Sequence, residues 1–318
     1  PDREYSTYPC FNVQPDYVRA ALEAGIDVFS LANNHSNDFG LESSFKTLNS
    51  LELLKDKHHD TNTTENRESV RPYFSGLRSK KAENMQIRSI NIDSWRIGFI
   101  AVTEILNSYK EAEAVYLVPF WDQKARDSFL ELIKKEAPAY DLFIVSYHGG
   151  EEYVLETPER IQHYLERIHQ AGAHIVWGHH PHVIQPWQLH YDGGELQGLI
   201  LPSMGNFISG QTWHLGASDA EKVRAYTGDT AILQLRVFKN KSNGDIFFEH
   251  PQSVWISTWI KQGKTLLALQ KDLIQQLPSP WSTFYRTRNK AMQELSKTTV
   301  RPTQNNIFQD GVPCTLFP

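Results

Sequence analysis

Residues 175–183 read IVWGHHPHV, and the reading of this stretch decides the fold. Ile175, Val176 and Trp177 have the β-branched and aromatic character of a buried strand, and Gly178 is the turn that ends it. Three imidazoles follow within four positions: His179, His180 and His182. Each buried ring nitrogen needs a partner, so such a cluster is poor core material. At the open end of a strand the same rings are good metal ligands. His180 and His182 lie two apart, so an extended backbone projects both to one side. The plainer reading is a solvated, His-rich turn.

Working outward, one local plan occurs three times: an amphipathic helix, a short turn, an apolar strand and a polar loop. The first copy spans residues 15–24, Gly25, 26–32 and 33–40. The second spans 122–136, a break at Pro138, 141–146 and 148–153. The third spans 158–171, Gly172, 174–177 and 178–182. Proline at a first helical turn and glycine after the last mark the helix limits. Helices alternating with apolar strands predict an α/β sheet, and ligands of such sheets collect beyond the carboxyl ends of strands. All three polar loops fall at that edge, and each carries histidine.

Residues 86–92 and 96–103 read as a hairpin around 93–95, and 184–190 with 199–203 as another around Asp192, Gly193 and Gly194. Residues 230–238 are a further strand, with 245–256 as its candidate partner. Residues 55–70 read as a solvated loop carrying His58 and His59 on the surface. From Thr265 the pattern turns helical, over 266–277 and 283–297, and 298–318 is an extended tail against the surface. The expected division is one domain over 1–257 and a helical appendage with tail over 258–318.

With 40% hydrophobic and 12% aromatic residues the chain is globular in composition, which excludes disorder. A net charge of −5 leaves no basic field to recruit nucleic acid or anionic lipid. The longest apolar runs are of strand length, short of a membrane span. No signal peptide is visible, and a first residue Pro1 rather than Met leads us to expect a segment upstream. Cys10 and Cys314 allow one bridge between the ends in an oxidising compartment, or two free thiols.

The loops carry the chemistry. In LANNHSNDFG, an amide oxygen of Asn33 or Asn34 can ligate a cation, and Asp38, three residues after His35, can hold that imidazole's tautomer. An Asn-rich helix cap is the plainer reading. In SYHGGEEY, His148 is a ligand candidate, and Gly149 and Gly150 allow close backbone approach beside Glu151 and Glu152. Trp177, Trp187 and Trp213 offer a substrate wall or ordinary core and rim. His163 and His169 read as exposed or capping, the 266–277 leucines as packing, and the 286–290 charges as a solvated helix face.

These motifs, ANNHSNDFG, HGGEEY with Pro158 and Gln162, GAHIVWGHHPHVIQP and SMGNF at 203–207, resemble in order and spacing the CapA family. Those are capsule and poly-γ-glutamate synthesis proteins with a calcineurin-like metallophosphoesterase fold, and the likeness covers about residues 9–239. It implies a four-layer αββα sandwich with a metal site at its loop edge. It also implies two divalent cations, Mn, Fe or Zn, held by Asn34, His148, His180 and His182. His35, oriented by Asp38, would be the general acid. Asn33, Glu151, Glu152, His179 and Asn206 would contact substrate or support the ligands.

Three departures stand out. The strand ending in Gly-Asp and the Asn-Leu-Glu segment that open such proteins are missing before Pro1, so either the first strand and part of the metal shell lie upstream or the site is incomplete. The usual HWG is HGG, with Gly149 opening space, and the usual GAD is GAH, with His174 given no role. The resemblance implies a metal-dependent hydrolase of a phosphoester or polymer amide, or a non-catalytic poly-γ-glutamate-binding accessory protein. It further implies an extracytoplasmic or cell-surface location in a bacterium, an anionic polymer or small phosphoester as substrate, capsule-synthesis membrane partners and no nucleic acid.

Overall fold

The computed structural model describes residues 4–61, 72–212, 215–240, 242–261, 264–296, 299–303 and 311–315. The three helix–strand–loop units form where expected. α1 (Pro15–Glu23) ends before Gly25, whose φ of +87° is the left-handed turn after a helix. β1 (Val28–Ser30) follows, and its loop leads into α2 (Leu41–Thr61). β2 (Tyr73–Ser75) pairs with β1 in parallel, and β3 (Arg88–Ile92) and β4 (Trp95–Thr103) make the expected hairpin. α3 (Gln123–Glu136) is capped by Asp122, which accepts from the Ala125 amide at 3.0 Å, and leads to β5 (Leu142–His148). α4 (Glu159–Gln170) and Gly172 lead to β6 (Ile175–His179). At the end of α4, His163 is exposed, and His169 donates from Nδ1 to the Ala173 carbonyl (2.7 Å) as a cap.

The later half adds the hairpin β7 (Gln188–Asp192) and β8 (Glu195–Leu201), then β9 (Asp229–Gln234), β10 (Arg236–Asn240), β11 (Ile246–Phe248), β12 (Gln252–Lys261) and β13 (Lys264–Leu269). α5 (Gln270–Gln276), α6 (Trp281–Leu295), β14 (Thr299–Thr303) and β15 (Gly311–Thr315) complete it. The large sheet runs β15-β10-β11-β8-β6-β5-β4-β3, with β7 and β14 branching from β8, and a second sheet runs β13-β12-β9. β4, β5, β6 and β8 are parallel neighbours.

Both faces of the parallel strands are buried, which explains their near-continuous apolar runs. Ile100, Val102, Phe143, Val145 and Val176 pack against Phe129, Ile133, Ile161 and Leu165 of α3 and α4. The alternate residues Ile97, Phe99, Leu142 and Ile175 face Ala32 and the β9 residues Ala231 and Leu233. Outside that second layer, Leu48 and Leu51 of α2 cover Phe74, and Leu273, Phe284 and Tyr285 of α5 and α6 pack with Ala225 and Ala268. The layers are therefore helix, sheet, sheet, helix, as expected.

Several local expectations are corrected. Residues 55–61 are the end of α2 rather than loop; 62–70 and the His58 and His59 side chains lie outside the described residues. The strand expected over 230–238 breaks at Leu235 and serves both sheets, and 245–256 divides likewise into β11 and β12. Leu266–Leu269 were expected in a helix but are paired with β12, because a short apolar run satisfies both periods and neighbouring strands decide. The tail is not a surface strap: β14 pairs with β7 and β15 with β10. Cys10 is a free thiol, and the Cys314 side chain lies outside the described residues.

The expected division at 257/258 falls inside β12, and α6 is tied to β9 by a buried ion pair. Arg288, expected on a solvated face, is 1% exposed and holds Asp229 Oδ2 through Nε (2.6 Å) and Nη2. Ser257 Oγ donates to the other Asp229 oxygen at 2.6 Å. His174 also gains a role, since its Nδ1 accepts the Phe143 amide (3.0 Å) and extends the β5–β6 edge.

Removing one partner of a buried pair strands the other charge, so Asp229→Ala is expected to lower unfolding stability by about 3–5 kcal/mol in a denaturant titration. Burial pushes His174 down to about 4, with His169 acting in the same direction. The unfolded imidazole, near 6.5, therefore takes up a proton first as pH falls. Its contribution to stability is complete above about pH 6.5 and is lost on descending to about 4. In His174→Asn, which keeps an acceptor in place, the stability-versus-pH slope across that window is expected to flatten, by at most about 3 kcal/mol in total.

Candidate metal centre

Register builds the site. Thr103 is opposite His148 and His148 opposite His179, so the ends of β4, β5 and β6 are level. With period two, Ser146, His148 and His179 share the face that looks toward the second layer, and Tyr147 turns to the helices. His148 is 7% exposed, and its Nδ1 lies 2.6 Å from His179 Nδ1, whose Nε2 lies 2.8 Å from Ser146 Oγ. Asn34 reaches the same spot from the loop after β1, with Oδ1 3.0 Å from His148 Nε2. His180 is 7% exposed, its ring centroid is 4.9 Å from that of His148, and its buried Nδ1 has no hydrogen-bond partner.

Hydrogen bonds fix the tautomers. Asn206 Nδ2 donates to Gln211 Oε1 and the Thr227 carbonyl, each at 2.9 Å, so Asn206 Oδ1 faces His182 Nδ1 at 2.8 Å. His182 therefore donates from Nδ1, and its Nε2 lies 3.8 Å from Glu152 Oε1. Asp38 Oδ2 accepts from His35 Nδ1 (2.8 Å) and from the Phe11 amide (2.9 Å), leaving His35 Nε2 to exchange a proton. The backbone at His180 (φ +115°) and His182 (φ +61°) is left-handed, a conformation worth about 1–3 kcal/mol of strain that concentrates at functional sites.

Burial pushes His179 and His180 down to about 4, and His148 well below the ordinary histidine range. The neighbouring imidazoles add to the effect at His148 and His179. Neutral rings are the ligand form. Two donors about 2.1 Å from one ion and at right angles to it lie about 3.0 Å apart, which is the spacing of Asn34 Oδ1 and His148 Nε2. The His180 ring, with its partnerless Nδ1, stands 4.9 Å from the His148 ring, centroid to centroid. Among the described residues, no group of three or more His, Cys, Asp or Glu side chains converges as a metal cage. The set depends on the amide of Asn34.

The remaining expected residues divide. His179 contacts His148, Asn206 contacts His182, and Glu152 approaches His182. Glu151 is exposed with its carboxylate toward solvent, and Asn33 is engaged in its own turn, where Oδ1 accepts from the His35 amide at 2.8 Å. Trp187 stacks on Trp255 (6.0 Å) and lines a separate cavity of about 250 Å³, Trp177 packs into the core, and Trp213 lies outside the described residues. The space expected at Gly149 is filled: a Cβ there would lie 2.5 Å from Glu104 Cγ.

Two residues not singled out from the sequence join the site. Asn107 accepts from Asn34 Nδ2 (3.1 Å), and its own amide nitrogen lies 3.2 and 3.3 Å from the two nitrogens of His35. Glu104, one residue past β4, is fully buried beside His148. No helix among the described residues is long and apolar enough to cross a membrane.

Comparison with known proteins places the chain. The family described as "Bacterial capsule synthesis protein PGA_cap" matches residues 1–211. Capsule biosynthesis protein CapA of Bacillus anthracis is 30% identical over 228 residues, covering 70% of this chain and 50% of that protein. PGA biosynthesis protein CapA of Bacillus subtilis is 26% identical over 223 residues, with the same coverage of 70% and 50%. A probable polyglutamine synthesis accessory protein of Mycobacterium tuberculosis is 24% identical over 257 residues, covering 71% of this chain and 64% of that one. The chain thus spans about half the length of the Bacillus relatives. A Staphylococcus aureus protein provisionally assigned as a 5′-nucleotidase, solved with α-ketoglutarate, aligns with TM-score 0.42 at 12% identity over 86% of this chain and 44% of its own. That likeness is too loose to transfer chemistry. The match over residues 1–211 and the Bacillus anthracis relative decide the matter: the chain belongs to the CapA-like bacterial capsule synthesis proteins.

Proposed function

We propose that the chain is a metal-dependent hydrolase of capsule or poly-γ-glutamate synthesis, working outside the cytoplasm alongside capsule-synthesis membrane partners. The observation that carries this reading is the 3.0 Å approach of Asn34 Oδ1 to His148 Nε2, with the His180 ring and its partnerless nitrogen 4.9 Å from the His148 ring at the same strand edge. Those three would hold a divalent cation (Mn, Fe or Zn), with His182 Nε2 as a further donor toward a second. When bound, such a cation supplies Lewis acidity at a phosphoryl or amide oxygen and lowers the pKa of nearby water.

The chain's own residues do the rest. Reversing the imidazole row would free His148 Nε2 for a cation: the proton facing Asn34 is released to solvent and one is taken up at the Ser146 end, so both rings stay neutral. His148 Nδ1 then donates to His179 Nδ1, and His179 Nε2 donates to a Ser146 hydroxyl that keeps its own proton. His35, held by Asp38, protonates the leaving group from Nε2, while Asn107, whose Oδ1 accepts from Asn34, stands beside the ring. Arg224 stands 5.4 Å over Tyr153, which stacks on His182 at 5.7 Å. Among the described residues no carboxylate pairs with that guanidinium, so it is free to meet an anionic substrate that a net charge of −5 would otherwise repel.

A second reading is a non-catalytic accessory protein that binds the anionic polymer. The mycobacterial relative, named as a probable polyglutamine synthesis accessory protein, favours it.

Elemental analysis and a panel of phosphoesters and γ-glutamyl oligomers separate the two. The hydrolase reading expects bound metal and turnover. His148→Ala and His180→Ala would lose metal affinity by roughly 10- to 100-fold or more. His35→Gln would keep metal while kcat drops by roughly 10²- to 10⁴-fold. Polymer binding without turnover of any panel member would establish the accessory reading instead. For Arg224→Gln, KM for an anionic substrate is expected to rise about tenfold with kcat little changed; an unchanged KM removes Arg224 from recognition.

A further inference from the structure

Glu104 belongs to no ligand set, yet four donors converge on its buried carboxylate. Oε2 accepts from the Tyr147 hydroxyl (2.6 Å) and Arg160 Nη1 (2.8 Å). Oε1 accepts from the Gly150 amide (2.8 Å) and Arg160 Nη2 (3.0 Å). The backbone amide of Glu104 donates to the His148 carbonyl at 2.9 Å. One residue past the end of β4 therefore grips the neighbouring strand end at 147, 148 and 150.

An enclosed carboxylate is costly unless paired and fully hydrogen-bonded. Here the bidentate fork of Arg160 supplies the charge, and the fork is itself seated 4.7 Å over the Phe120 ring. Gly149 completes the fit. An added Cβ would lie 2.7 Å from both Glu104 Cδ and Oε1, so only a residue without one lets the carboxylate lie against the strand end.

We propose that Glu104 and Arg160 form a clamp that positions His148 for the cation, resting on the reading of His148 as a ligand. Glu104 is a positioning residue: it acts through the backbone of 147–150 and touches no cation or substrate. The clamp grips the helix-facing side of β5, through Tyr147 and the Gly150 amide, and leaves the opposite face to the ligands. Glu104→Gln turns one acceptor into an amide donor that meets Tyr147 or Arg160 donor to donor. Arg160→Lys keeps the charge but loses the fork. Gly149→Ala leaves every clamp donor in place and displaces the carboxylate by bulk alone.

The test is a calorimetric Mn²⁺ titration of the whole chain, with hydrogen exchange followed over 147–151. In Glu104→Gln and Gly149→Ala, Mn²⁺ affinity is expected to fall roughly 10- to 100-fold and the Gly150 amide to exchange faster, with Arg160→Lys between them and wild type. Should Glu104→Gln fail to fold, Gly149→Ala carries the test. Wild-type Mn²⁺ affinity together with wild-type protection at Gly150 in the folded variants would overturn the clamp. A wild-type chain that takes up no Mn²⁺, with variants that still lose protection, would sink the metal reading and leave the clamp standing.

Discussion

Parallel pairing of β4, β5 and β6 sets Thr103, His148 and His179 level, and the approach of His148 to His179 and to Glu104 follows from that alignment. Side chains on a strand alternate, so a slip of one residue in β5 would carry His148 to the helix face and bring Tyr147 to the ligand face. The hydrophobic pattern forbids the slip: Leu142 and Ile144 pack between the sheets, and Phe143, Val145 and Tyr147 pack against the helices. The apolar core thus places an imidazole that has no apolar role. Glu104 reads the same alternation from the other side, gripping Tyr147 while His148 faces away.

Packing several imidazoles together under little solvent is unfavourable unless they stay neutral and paired. The row from Ser146 through His179 and His148 to Asn34 and Asn107 meets that condition, because each member can donate to one neighbour and accept from the next. His180 Nδ1 is the exception. A buried partnerless nitrogen on a left-handed backbone combines two costs at one residue, and a distant scaffold carries them. The Gly205 backbone bridges to Thr230, Thr230 Oγ1 donates to the Met204 carbonyl (2.8 Å), and Asn206 is bound to Thr227. Those residues flank Asp229, which Arg288 of α6 holds. The segment expected to be an appendage therefore braces the loop that orients His182.

How much of this could be read from the sequence depended on range. Proline and glycine punctuation made the three helix–strand–loop units visible, and with them Asn34, His35, His148, His180 and His182. Asn107 and Glu104 carried no local sign, since an amide in a polar loop and an acid after an apolar strand have ordinary surface readings. What makes them special is a partner 73 or 56 residues away, brought close only by the tertiary fold. Gly149 shows the same limit: a missing side chain reads as space, and here a neighbour's carboxylate fills it. Leu266–Leu269 and the strands of the tail failed for a related reason, because their pairing partners, not their own periodicity, make them strands.

The charge state of the donors bears on what the site would attract. Asn34 is neutral, and burial keeps His148 and His180 neutral, so the three would hold a dication without cancelling its charge. Carboxylate cages do the opposite. The nearby acids are committed elsewhere: Asp38 to His35 and the Phe11 amide, Glu104 to Arg160. Glu152 approaches a candidate ligand at 3.8 Å from His182, on the exposed side. A cation held there would be a concentrated positive centre on an acidic chain, with the Arg224 guanidinium beside it over Tyr153. Such a centre would attract a phosphate or carboxylate to this strand edge against the chain's overall negative charge.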